Sequence, residues 1–265
     1  MQFTTSADGT KIAYDIVGEG TPVVLVAGAI GHRAIDPVSG ALAGLLARRH
    51  TVLNYDRRGR GDSVDTAPYA VEREIEDLNA VIEAAGGEAA IYGISSGAVL
   101  AIRAAGGLPG ITRLAVYEPP VIVDDSRPPL PGDYVEQLDA LLDDGRSFDA
   151  LALFMTAAVG APVEYVDAMR GEPFWPGMAA VAHTLAYDGR VMGETMSGRP
   201  LPAEWADITV PALVIDGGAS DPYVRSGADA LGALLPNASR VTLDGQTHMV
   251  DPAVLAPVLL DFFAA

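Results

Sequence analysis

The chain has no cysteine among its 265 residues, which excludes disulfides, a thiolate nucleophile and Cys-ligated zinc or iron–sulfur clusters. Any nucleophile is therefore an oxygen or a nitrogen. Basic residues are scarce too: 17 Lys and Arg stand against 35 Asp and Glu, a net charge of −18. Such a charge repels nucleic-acid phosphates and anionic lipid headgroups at long range, so neither a nucleic-acid nor a membrane partner is expected. Long apolar runs are missing: the longest, 23–30, falls far short of the roughly 20 residues that cross a bilayer and suits a buried strand. Residues 1–10 are polar and carry neither a basic start nor an apolar stretch, so no secretory leader is expected and the protein reads as cytoplasmic. Internal repeats and low-complexity tracts are also absent.

What the chain does have is an alternation of short apolar runs with longer helical stretches. Residues 2–5 and 11–17 flank the turn signal Ala7-Asp8-Gly9 and read as an antiparallel hairpin. Compact Val-, Ile- and Leu-rich runs at 23–26, 51–55, 89–92, 111–117, 212–215 and 240–243 read as strands buried on both faces. Helical patterns lie between them at 72–85, 96–105, 223–235 and 253–263. The alternation predicts an α/β fold with a mostly parallel central sheet of about eight strands. One interval interrupts it. After the strand ending near Tyr117, more than 80 residues pass before the next strand opens at Ala212, too many for a loop. Amphipathic patterns at 133–142, 148–158, 162–169 and 178–187, separated by Pro and Gly, predict a helical insertion over 119–205. Residues 1–118 and 206–265 then form the core, and the insertion is a candidate cap.

Gly93-Ile94-Ser95-Ser96-Gly97 follows a predicted strand and opens a predicted helix. A serine held at such a turn projects its hydroxyl from the edge of the sheet, and the helix dipole with the next backbone N–H favours developing negative charge. The flanking glycines stand where a Cβ would strike neighbouring backbone. Centring the motif on Ser96 would put Ile94 where glycine is needed, so Ser95 is the candidate nucleophile.

With that elbow in its strand-to-helix context, the chain resembles the α/β-hydrolases over nearly its full length, and the insertion falls where that family carries its lid. The resemblance implies the α/β-hydrolase fold and a Ser-His-acid triad. Ala27-Gly28-Ala29-Ile30-Gly31 is similar to the family's His-Gly-x-x-Gly loop, with Ala in place of His, and implies an oxyanion hole from the N–H groups of Ala29 and Ser96. Tyr55-Asp56-Arg57-Arg58-Gly59-Arg60-Gly61-Asp62-Ser63 is similar to the family's loop after the following strand; it is expected to be a structural turn with Arg and Asp paired locally.

Of four histidines, His248 lies just past the last strand, on the carboxyl-end rim that a base must occupy to reach the serine. His50 precedes a strand at the opposite rim and is expected to be solvated. Two acids compete for the third place. Asp221 follows Gly217-Gly218-Ala219-Ser220, one residue longer than the family's usual Gly-x-x-Asp, whereas Glu118 ends the sixth strand, where haloalkane dehalogenases and zearalenone-type lactonases place theirs. A carboxylate buried there needs a partner such as histidine. The Gly-x-Ser-Ser-Gly elbow shared with the zearalenone-type enzymes favours Glu118 without removing Asp221, and Asp216 is a weaker third.

Candidate pocket residues are Ile30 and His32 near the oxyanion loop, and Phe154, Trp175 and His183 in the insertion. Packing is the competing role for His32, Trp175 and His183. These residues imply a serine hydrolase acting on a neutral, fairly apolar carboxylic ester or lactone as its small-molecule substrate. Two other readings stay open: the same scaffold running C–C hydrolysis, perhydrolysis or a lyase step, and a ligand-binding, receptor-like protein with a slow triad. No metal and no organic cofactor is implied, since no His-x-x-x-His or Cys cluster is present and the glycines near Gly28 lack the dinucleotide fingerprint. The sequence does not determine the oligomeric state.

Overall fold

In the computed structural model, which describes residues 1–264, eight strands form one sheet. They are β1 (Gln2–Thr5), β2 (Lys11–Val17), β3 (Thr21–Val26), β4 (His50–Tyr55), β5 (Ala89–Ile94), β6 (Ile111–Tyr117), β7 (Ala212–Gly217) and β8 (Ala238–Leu243). Their order across the sheet is β1-β2-β4-β3-β5-β6-β7-β8. The hairpin β1–β2 is antiparallel, β2 joins β4 antiparallel, and every pair from β4 to β8 is parallel. The α/β reading of the sequence is thus the architecture of the chain.

Side chains alternate across the sheet, as the pleat requires. Val24, Val26, Leu53, Ile91, Leu114, Val116 and Val214 bury into one layer, against α2 (Val71–Ala84), α3 (Ser96–Ala105) and α9 (Pro222–Leu234). Val23, Leu25, Val52, Tyr92, Ala115, Leu213 and Ile215 bury into the other, against α1 (Pro37–Leu46) and α10 (Pro252–Ala264). Burial on both faces explains why the central strands read as continuous apolar runs. β8 does not share it. It is the last strand of the sheet and only Leu243 in it is buried, so the expectation of two covered faces fails there. Helix α1 adds to the four core helices read from the sequence: Asp36 accepts the N–H groups of Val38 and Ser39 at 2.9 and 3.1 Å, and Pro37 opens the first turn.

Between β6 and β7 lie α4 (Tyr134–Asp143), α5 (Ser147–Leu153), a π-turn at Phe154–Ala158, α6 (Val163–Met169), α7 (Trp175–Ala180) and α8 (Leu185–Met192). The single helix expected over 178–187 is broken. Val181, with φ −105° and ψ 8°, leaves the helical region, and a 3₁₀ turn (Ala182–Thr184) re-aims the chain into α8. These helices close on an apolar cluster of their own, which includes Leu138, Leu151, Val166, Trp175 and Leu185 and receives Ile30 from the core. Among the described residues no helix is long and apolar enough to cross a membrane.

Candidate active site

β5 runs straight into Ser95, which holds φ 57° and ψ −130° before α3 begins at Ser96. A non-glycine residue in that region is strained and persists only where its surroundings over-determine it. Here they do. The Ser95 N–H donates to the Tyr117 carbonyl at 3.0 Å. A Cβ on Gly93 would stand 2.6 Å from the Gly97 oxygen, and one on Gly97 would collide with the Val26 and Ala27 carbonyls. On the opposite side, a Cβ on Gly28 would stand 2.9 Å from Ser95 Cβ and 3.5 Å from its Oγ. Three glycines therefore let β3, the loop that follows it and α3 close around one serine. Ser96, the rejected alternative, is buried, and its hydroxyl donates at 2.7 Å to Asp188 Oδ1 on α8.

Glu118 follows β6 and is fully buried, at φ 47°. Its Oε1 accepts the Gly217 N–H at 2.7 Å and the Ser220 hydroxyl, while Oε2 lies 2.8 Å from His248 Nδ1. Burial alone would raise the Glu118 pKa, but the hydrogen bonds from His248, Ser220 and Gly217 together outweigh it and hold the carboxyl below its ordinary value. An ionised Glu118 only accepts, so His248 Nδ1 is the donor in that contact, the tautomer that leaves the lone pair of a neutral imidazole on Nε2. Tyr117 Oη steadies the histidine loop by donating to the Thr247 carbonyl at 2.6 Å.

The structure brings His248 to Glu118 and not to the other acids. Asp221 is exposed at the cavity rim as the N-cap residue of α9, and among the described residues it forms no hydrogen bond to His248. The loop that suggested Asp221 instead supplies two donors to Glu118. Asp216 is buried but turns to β8, accepting from Arg240 Nη1 at 3.0 Å and Thr242 Oγ1 at 2.9 Å.

Ser95, Ser96, Ala29, Glu118 and His248 line one cavity of about 550 Å³ between the sheet and the insertion. Leu130, Val135, Phe154, Leu185, Met192 and Met196 make its walls apolar. Of the five candidate pocket residues only Phe154 is there. Ile30 and Trp175 are buried in the insertion's own cluster, where two apolar side chains find more complete burial than at a cavity wall. His32 is buried beside Asp56 and Arg60. His183 is 41% exposed and lies 3.6 Å from Asp65, edge-on to Tyr187. His50, expected in solvent, is buried with Nδ1 2.8 Å from Thr21 Oγ1 and its ring against Phe263.

The arginine-rich loop also departs from expectation. Its local acids Asp56 and Asp62 are taken by Arg33, so Arg57, Arg58 and Arg60, all fully buried, reach distant carboxylates. Arg57 forks onto Glu74 at 2.6 and 2.8 Å, Arg58 onto Asp77 at 2.7 and 2.7 Å, and Arg57 and Arg60 converge on Asp188 at 2.7 and 2.6 Å. Burial opposes ionisation of Asp188, but the Arg60 and Arg57 charges and the Ser96 hydroxyl hold its pKa below the ordinary carboxylate value. Sequence reasoning missed Asp188, Ser220 and the buried role of the arginines. The one available signal was three arginines within four residues, too dense a charge for a few local acids to satisfy.

A serine at a strained strand-to-helix turn above a mostly parallel sheet, with a histidine and a buried acid on the same rim, defines the α/β-hydrolase class of fold. The model of the Alpha/beta hydrolase family matches residues 23–258, and the chain belongs to that family. An alpha/beta hydrolase from Sphaerobacter thermophilus is 55% identical, with 99% of this chain and 100% of that one covered and a TM-score of 0.90. More distant structures share the fold. They include an enol-lactonase from Burkholderia xenovorans (19% identity, 100% of each chain covered, TM-score 0.69) and a thermophilic esterase from Thermogutta terrifontis (20% identity, 100% and 98% covered, TM-score 0.70).

Proposed function

We propose that the protein is a serine hydrolase that cleaves neutral, fairly apolar carboxylic esters or lactones through an acyl-enzyme on Ser95. The observation that carries this reading is the His248–Glu118 pair on the cavity that also exposes the strained Ser95. In the first half-reaction His248 Nε2 removes the Ser95 proton as Oγ attacks the carbonyl carbon. Glu118 orients the imidazole and offsets its positive charge. The N–H groups of Ala29 and Ser96 receive the oxyanion, the imidazolium returns its proton to the leaving alkoxide, and water repeats the sequence to release the acid. For a lactone, the leaving alkoxide remains attached to the acyl group, so both halves of the product leave together.

The apolar cavity walls support an uncharged acyl or ring moiety, and the acidic surface disfavours anions. The names of the enol-lactonase and esterase among the distant structures accord with this substrate class. Residues 119–205 act as the lid that excludes water from the acyl-enzyme. A fluorophosphonate probe is expected to modify Ser95, located by peptide mass spectrometry, and a panel of p-nitrophenyl esters and alkyl lactones to be hydrolysed. Folded protein that neither labels nor turns over any member of the panel would exclude the proposal.

A further inference from the structure

The two backbone donors of the proposed oxyanion hole each belong to a peptide unit whose carbonyl is itself hydrogen-bonded. The Ser96 N–H shares its peptide with the Ser95 carbonyl, which accepts from the Ala98 N–H at 2.9 Å in the first turn of α3. The Ala29 N–H shares its peptide with the Gly28 carbonyl, in a loop with no helix behind it. There Arg60 Nη1 takes the place of the helix, donating to the Gly28 oxygen at 2.6 Å. Among the described residues the one cis peptide is Ala67–Pro68, so the Gly28–Ala29 unit is trans and its N–H and C=O point in opposite directions.

We infer that Arg60 is a positioning residue for the reaction: by hydrogen-bonding the Gly28 carbonyl it orients and polarises the Ala29 N–H as an oxyanion donor, and Asp188 of the insertion holds it in place. The inference rests on the hydrolase reading above. A cationic donor on the carbonyl oxygen draws electron density through the amide resonance, which leaves the nitrogen more positive and its N–H a stronger donor. Arg60 cannot drift from that contact. It is 1% exposed, its Nη2 donates to Asp188 Oδ2 at 2.6 Å, and its Nε donates to Thr184 Oγ1 at 3.1 Å. The same Asp188 accepts the Ser96 hydroxyl and Arg57 Nη1, both at 2.7 Å, so one carboxylate from the insertion braces both sides of the hole. Full negative charge reaches the substrate oxygen only in the tetrahedral state, so the contribution falls on kcat and not on KM.

The test compares Arg60→Met, Arg60→Lys and Asp188→Asn with the control Arg190→Met, whose arginine sits on the same helix α8 as Asp188 but reaches outward to Asp139. In two-dimensional ¹⁵N–¹H spectra of the unliganded protein, Arg60→Met is expected to move the Ala29 amide proton upfield while that of Ser96 stays. With a p-nitrophenyl ester, kcat falls about tenfold or more and KM stays within about twofold. Affinity for an aryl trifluoromethyl ketone, which forms a tetrahedral adduct, falls by the same factor as kcat. Arg60→Lys, which keeps a cationic donor, recovers part of both losses, and Asp188→Asn lowers kcat in the same sense. Should Arg60→Met fail to fold, Arg60→Lys gives the same readouts with smaller changes. An unmoved Ala29 resonance overturns the inference, as does a kcat loss that Arg190→Met reproduces or one matched by an equal rise in KM. A wild-type protein that neither labels nor turns over defeats the hydrolase reading instead, while the Ala29 resonance still decides what Arg60 does to that peptide.

Discussion

His248 Nδ1 lies 2.8 Å from Glu118 Oε2, across 130 residues of chain, and the same carboxylate accepts from Gly217 and Ser220 on its other oxygen. A carboxamide in place of this carboxylate can donate to Nδ1 and so hold the imidazole in the wrong tautomer, with its proton on Nε2. Glu118→Gln is therefore expected to slow acylation by about a thousandfold or more, whereas Asp221→Ala changes it by less than about threefold. Stopped-flow release of p-nitrophenol under single-turnover conditions measures both. Equal, mild losses would remove Glu118 from the role assigned to it.

The same carboxylate governs part of the acid stability. Its folded pKa lies below the ordinary value of 4.5, so the folded state binds that proton less readily than the unfolded one. The stability it contributes is fully present above 4.5 and is lost as pH falls below 4.5 through the folded value. Glu118→Gln cannot titrate, and urea unfolding is expected to show a shallower decline in its stability between about pH 5 and pH 3 than in the wild type. Identical slopes would mean that the hydrogen bonds do not favour the ionised form.

Gly97 tests the geometry of the elbow. An added methyl would meet the Val26 and Ala27 carbonyls, backbone of the central strand and the loop after it, which has little room to yield. Gly97→Ala is expected to cost about 1–3 kcal/mol in chemical denaturation and to lower Ser95 labelling. A variant with wild-type stability and labelling would show that α3 shifts freely against β3.

Phe154 and Trp175, both aromatic and both in the insertion, should separate cleanly. Trp175 is fully buried away from the cavity and Phe154 lines it. Trp175→Ala is expected to destabilise by about 3–5 kcal/mol with KM unchanged in whatever remains folded, while Phe154→Ala raises KM at a smaller cost in stability. Thermal melts paired with ester kinetics distinguish them.

The contrast between those two residues shows what a sequence can and cannot disclose. Runs such as Val23–Val26 announce their strands because burial on both faces admits few polar residues, and Gly93 to Gly97 announces the elbow because close backbone approach dictates glycine. The contact between Glu118 and His248 could be anticipated from the place of Glu118 at the end of β6 and of His248 in the loop after β8. The cavity wall was not, because Trp175 and Phe154 look alike until the break at Val181 and the π-turn at Phe154–Ala158 set the direction of each helix. Nor was the partner of Arg60, since Asp188 is 128 residues away and resembles any exposed helical aspartate. Whether His248 would meet Glu118 or Asp221 depends on a loop conformation, in which Ser220 turns its hydroxyl to Glu118 and Asp221 caps α9.

The insertion leaves the core at Glu118 itself, whose φ of 47° turns the chain out of β6, and it returns a carboxylate to the core through Asp188. A chimera that takes this segment from another member of the family would therefore have, besides its two chain joints before β7 and after β6, a third seam in the middle of the structure at Asp188. The cut must fall after Glu118, so that the joint and its acid stay together. The incoming segment must also present a carboxylate where Asp188 stands, because otherwise Arg60 and one arm of Arg57 would be left buried without a counter-charge.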